Sequence, residues 1–238
     1  MRSRFPVALV LAVLALSVRA DDLINPDRPG IADGSAVVGT GVVQLETGID
    51  RTREDLATPT LLRYGLAPDL ELRFEGDGFT HVRNGSDAWA PVSVGAKWHF
   101  ADAPSLAVIV RAFLPSGSGA LKQKTSTGDV RLACDFNVGE KWSFNPNVGI
   151  ASEVDGGRFT AALSALTIQY NLSERANVFV DGGAQSPEEK GGRASLLVDT
   201  GGALIVGRNT QFDAEATWRA HGRTSPGLTL SAGVSHRF

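Results

Sequence analysis

From Gly41 onward, apolar and polar positions alternate with period two, in runs separated by turn residues. The clearest runs cover residues 43–50 (VQLETGID), 70–76, 91–100, 129–138, 212–220 and 228–238. Looser ones fill 58–66, 105–114, 142–152, 160–170, 176–183 and 194–206. The pattern predicts about twelve strands, many close to the roughly nine to eleven residues that a tilted strand needs to cross a bilayer. An even number of strands brings both ends of the sheet to the same side.

The connections sharpen this picture. Short ones at 67–69, 101–105, 139–141, 172–175 and 207–210 alternate with longer polar ones at 51–57, 77–90, 115–128, 153–158, 184–193 and 221–227. An outer-membrane barrel has this asymmetry, and a two-sheet sandwich has no reason to keep it. The predicted fold class is therefore all-β, an antiparallel transmembrane β-barrel. Its polar face carries Glu46, Asp50, Arg63, Glu71, Arg73, Lys97, Asp129, Arg131, Asp135, Asp213, Glu215 and Arg219, which together with Arg111 would line the lumen. Tyr64, Phe100, Phe136, Trp142 and Tyr170 fall beside the short turns on the apolar face, as an aromatic girdle at the periplasmic interface would.

The two ends of the chain add signals of their own. Arg2 and Arg4, an apolar stretch from Val7 to Val18 and a small residue at Ala20 predict an export signal peptide over residues 1–20, cleaved after Ala20. Residues 21–40 are polar and rich in Gly and Pro, and residues 41–238 form the barrel. At the other end, Leu228, Leu230, Ala232 and Val234 alternate toward Phe238. This resembles the outer-membrane sorting signal read by the barrel assembly machinery, and a last strand paired with the first would leave no free edge.

Composition narrows the function class. A net charge of −3 argues against a nucleic-acid partner, and the single cysteine, Cys134, excludes a disulfide framework. The expected partners are outer-membrane lipid and a small-molecule solute, and the expected location is the outer membrane. No sequence feature calls for a cofactor or a metal.

The stretch INPDRPGIADGSAVVGTGVVQLETGID (residues 24–50) resembles the start of the mature chain in the outer-membrane transporters named for the meta-cleavage (MetA) pathway of phenol degradation. LLRYGLAPDLELR (61–73) and the closing GVSHRF are similar to that family as well, with Gly30 standing where an acidic or aromatic residue usually follows Asp27-Arg28-Pro29. The resemblance implies an outer-membrane barrel with a transport role, associated with aromatic or other hydrophobic compounds.

Catalysis finds little support. A nucleophilic site needs a serine or threonine beside an oriented histidine, and the nearest candidate, His81, Ser86 and Asp87 in the loop HVRNGSD, is also what any polar, Gly-containing loop contains. The competing readings are an outer-membrane barrel enzyme acting on lipid or peptide, a barrel without transport, and a soluble periplasmic β-protein. For the lumen, Arg63, Arg73, Lys97, Arg111 and Arg131 are expected to face Glu71, Asp129, Asp135, Asp213 and Glu215 across a narrow bore, either lining a pore or filling the barrel. Residues 21–40 fit a segment tucked into the periplasmic mouth, with Asp27 or Arg28 paired to lumen charges, or a flexible linker left by export.

Overall fold

In the computed structural model, residues 22–83, 85–223 and 227–238 are described. The predicted signal peptide lies outside them. Twelve long strands form a closed antiparallel barrel: β1 (Val43–Arg51), β3 (Thr60–Ala67), β4 (Leu70–Gly76), β7 (Val92–Asp102), β8 (Ser105–Phe113), β9 (Thr127–Val138), β10 (Trp142–Val154), β11 (Arg158–Ser173), β12 (Ala176–Ser186), β13 (Ser195–Val206), β14 (Thr210–His221) and β15 (Gly227–Arg237). Each pairs with its neighbours. Closure comes from β15 against β1, in register from Gln44 opposite Arg237 to Arg51 opposite Leu230, and the Phe238 amide donates to the Val43 carbonyl at 3.0 Å. With that seam made, the twelve-strand barrel has no open edge, as a hydrocarbon environment demands.

Two connections expected to be irregular loops contain strands. Residues 51–57 hold β2 (Asp55–Ala57), and residues 77–90 hold β5 (Phe79–Val82) and β6 (Ala88–Trp89). These pair in the order β1–β2–β5–β6, a small ribbon beyond the barrel rim. They are too short to show a two-residue period. Among the described residues, helix is limited to a single 3-10 turn at Gly119–Leu121, and no helix is long and apolar enough to cross a membrane.

The strand pleat sorts side chains to two sides. Outward lie Leu62, Leu72, Phe74, Val94, Val110, Val130, Val148, Ile150, Val180, Leu204 and Leu230, all exposed, and inward lie charges. A soluble barrel hides its apolar face and wets its charges, so this inversion excludes the soluble reading. The girdle residues are also on the outer surface: Tyr64, Phe100, Phe136 and Trp142 are exposed. Trp142 meets Tyr170 edge-on with centroids 4.9 Å apart, Phe136 stacks on Phe144, and Phe238 meets His236 edge-on.

Candidate functional site: the occupied lumen

All thirteen charged positions read from the alternation as lumen-facing are withdrawn from the exposed outer surface. Glu46, Arg63, Glu71, Arg73, Lys97, Arg111, Asp129 and Asp213 are buried, while Asp50, Arg131, Asp135, Glu215 and Arg219 are partly so. Arg219 sits nearest the outer rim, 3.2 Å from Glu188 of the β12–β13 loop.

The expected opposition of charges across the bore is corrected in one respect. Glu71, Asp129 and Asp135 stand on β4 and β9, on the same wall as the cations. Arg63 binds Glu71 at 2.8 Å, and Arg111 binds Asp129 at 3.0 Å. The opposing wall, β12 to β14, carries Asp213 and Glu215, joined by Asp181 and Asp199, with Glu46 on β1 at the boundary. The period-two pattern assigns a residue to a face, but which strands stand opposite each other depends on the closure and stagger of the whole barrel.

Between the walls runs the N-terminal segment. It enters beside Arg208, whose carbonyl accepts from the Ile24 amide at 2.8 Å. It then rises through the lumen and returns to the periplasmic end, where the Gly41 amide donates to the Gly65 carbonyl at 2.8 Å. Residues 24–38 are packed against the wall along this path.

Charge complementarity orients the segment. Toward the basic wall, the Asp27 carboxylate accepts from Lys97 Nζ at 2.7 and 2.8 Å, pairs with Arg73 and lies 3.8 Å from Arg63 Nη1. Asp33 sits within 3.2 to 3.4 Å of Arg73, Arg111 and Arg131. Toward the acidic wall, Arg28 donates to Asp213 at 3.2 Å. The amides of Gly30 and Ile31 donate to Glu215 and Asp181 at 2.8 and 2.7 Å. The Arg28 amide donates to Glu46 at 2.9 Å. Burial alone would raise the Asp27 and Asp33 carboxyls, but the neighbouring cations, Arg63, Lys97 and Arg73 for the first and Arg111 and Arg73 for the second, hold both below the usual carboxylate range.

Glycine makes the room. Gly48 and Gly233 are partners across the closing seam, and a Cβ on either would come within 2.8 Å of the Arg28 guanidinium. At Gly65 a Cβ would lie 1.6 Å from the Gly39 carbonyl oxygen, so the segment's exit needs a wall position without a side chain.

Two chambers flank the segment, each of about 440 Å³. The outer one opens among Arg73, Arg111, Arg131, Leu61, Pro91 and Phe113. The periplasmic one is lined by amides, including Asn137, Asn145, Gln169, Asn171, Asn177 and Gln211.

Several participants escaped the sequence reading. Asp181 and Asp199 were readable in principle, since outward Val178 and Val180, and Leu196 and Val198, bracket their faces. Asp33 carried no signal, because it belongs to no strand. In the ribbon, His81 Nδ1 lies 2.6 Å from Asp87 on an exposed surface. The described residues contain no group of three or more His, Cys, Asp or Glu placed to hold a metal.

The family described as "Putative MetA-pathway of phenol degradation" matches residues 26–238. Among solved structures, the COG4313 outer membrane channel from Pseudomonas putida F1 is similar at TM-score 0.68 and 13% identity, over 89% of this chain and 100% of that one. The KdgM porin is similar at 0.60 and 11%, over 82% and 99% of the two chains. The NanC porin is similar at 0.59 and 7%, over 82% and 98%. At these identities the likeness speaks for the fold, an outer-membrane barrel. No curated protein sequence matches the chain.

Proposed function

The chain belongs to that phenol-degradation family, and from this premise we propose that it is an outer-membrane channel for small solutes, held shut by its own N-terminal segment. One observation carries the reading. Between Asn25 and Val38 the segment's described bonds to the wall all involve a side chain, and backbone pairing with the wall occurs only at its ends, through Ile24 and Gly41. A strand ladder breaks cooperatively, whereas such bonds can be exchanged one at a time for water or a solute. A segment held in this way suits reversible displacement better than permanent filling.

On this reading a solute enters the outer chamber, loosens the segment, and leaves through the amide-lined chamber. The opposed basic and acidic walls set up a field across the bore that orients a polar solute. The family's name supports aromatic or other hydrophobic compounds as the solutes, and Leu61, Pro91 and Phe113 give the outer chamber apolar side chains to meet them. The export signal over residues 1–20, the sorting role of Phe238 and the assembly machinery as partner belong to the same proposal.

The test is single-channel conductance in a planar bilayer. Deleting residues 21–36 should raise it severalfold over the full chain. Equal conductance of the two would overturn the closing role of the segment, and no conductance from either would leave a barrel without transport.

A further inference from the structure

Asp33 is a loose tenant of a site built for a carboxylate. Arg73 from β4, Arg111 from β8 and Arg131 from β9 converge on it, yet their nearest nitrogens stand 3.2, 3.4 and 3.4 Å from its oxygens. Charge-assisted guanidinium–carboxylate bonds settle at about 2.7–2.9 Å. The other acids of the nest are already engaged: Asp129 with Arg111 and Arg131, and Glu75 with Arg73 and Arg111.

Donor capacity is left over. Arg111 Nη2 and Arg131 Nε are buried without a hydrogen-bond partner, and Arg111 is only 8% exposed. Both arginines line the outer chamber, whose remaining wall includes the apolar Leu61, Pro91 and Phe113 and the acids Glu75 and Asp77. A buried cationic fork beside apolar surface, open toward the loop side of the barrel, matches an organic acid with an apolar body.

We propose that the outer chamber binds small organic carboxylates, aromatic acids among them, and that the ligand's carboxylate replaces that of Asp33 on the three arginines. The exchange swaps one carboxylate for another, so the net charge of the nest does not change and no buried cation is left unpaired. Released from the nest, the Asp33 carboxylate no longer ties the segment to the basic wall, and only the Asn145 and Asn147 side chains still hold the Asp33 backbone; binding is thereby coupled to opening. The inference rests on the channel reading and adds to it the chemical class of the solute.

Calorimetric titration of the full-length protein in detergent tests it, with benzoate as the probe and benzyl alcohol as the neutral probe of similar size. Asp33→Ala removes the resident carboxylate and should bind benzoate about tenfold or more tighter than the wild type. Benzyl alcohol should show no such gain, and Arg111→Gln in the Asp33→Ala background should undo it. Equal benzoate affinity in wild type and Asp33→Ala would overturn the proposal, as would no benzoate binding to either or an equal gain for both probes. Heat-modifiable migration on gels checks that each variant is folded, and the comparison of wild type with Asp33→Ala decides the matter even if the double variant does not fold. If the 21–36 deletion conducts while these titrations fail, the carboxylate site is wrong and the channel stands; if the deletion does not conduct, the channel reading itself falls.

Discussion

Replacing Asp27 by asparagine keeps the shape of the segment and an acceptor for the Gly34 amide, now 3.1 Å from Asp27 Oδ1, and removes only the charge. Lys97, Arg73 and Arg63 then lose the carboxylate placed among them. Removing one member of a buried ion pair costs about 3–5 kcal/mol, because the remaining charge stays buried without its partner. Glu71 lies 3.8 Å from Lys97 and 2.8 Å from Arg63 and compensates in part, so the lower figure applies. At about 1.4 kcal/mol per decade, 3 kcal/mol is roughly a hundredfold shift toward the undocked segment, where water reaches the three cations. Single-channel recording reads this as an increase of that order in the odds of the open state. If Asp27→Asn opened no more often than the wild type while the 21–36 deletion did, docking would have to rest on the backbone contacts at Ile24 and Gly41, and the ion-pair argument would be wrong.

Three further outcomes are expected. Gly65→Ala places a Cβ 1.6 Å from the Gly39 carbonyl oxygen, so the segment should leave its exit path and conductance should rise, while heat-modifiable migration continues to report a folded barrel. For pH, the docked Asp27 and Asp33 carboxyls lie below their ordinary value; their contribution to docking is therefore complete above the free carboxylate pKa, about 4, and is lost as pH falls from there through the docked values. The share of closing that these two carboxylates supply should therefore be lost only below about pH 5, and Asp27→Asn should remove much of that acid limb of the open probability, so an acid limb unchanged in Asp27→Asn would refute this assignment. Deleting Phe238 removes the amide that binds Val43 and the ring against His236. Folded barrel recovered from outer membranes should drop several-fold, measured as the heat-modifiable fraction, while refolding into detergent should be less affected.

The barrel was legible in the chain because membrane strands obey a local rule. Val130, Leu132 and Phe136 face out, and Asp129, Arg131 and Asp135 face in, whatever lies elsewhere. The lipid-side aromatics could be located for the same reason, as each stands a fixed few residues from a short turn. β2, β5 and β6 could not be read, since two to four residues carry no period.

The candidate site was legible only in halves. Arg73, Arg111 and Arg131 declared themselves as inward residues of three separate strands, but nothing in the alternation says that they meet at one point, still less that Asp33 waits there. That meeting depends on the register of β4, β7, β8 and β9 and on the path of a segment that has no period of its own. The sequence by itself determined the strands, the sidedness of each residue and the lipid-facing surface, because these follow from the two-residue pleat and the solvent on each face. Only the tertiary structure decided that Arg63, Arg73, Lys97, Arg111 and Arg131 gather on one wall and Asp181, Asp199, Asp213 and Glu215 on the other, and that residues 24–38 bridge them. Those are relations across a closed ring, between residues such as Arg28 and Asp213 that stand 185 positions apart.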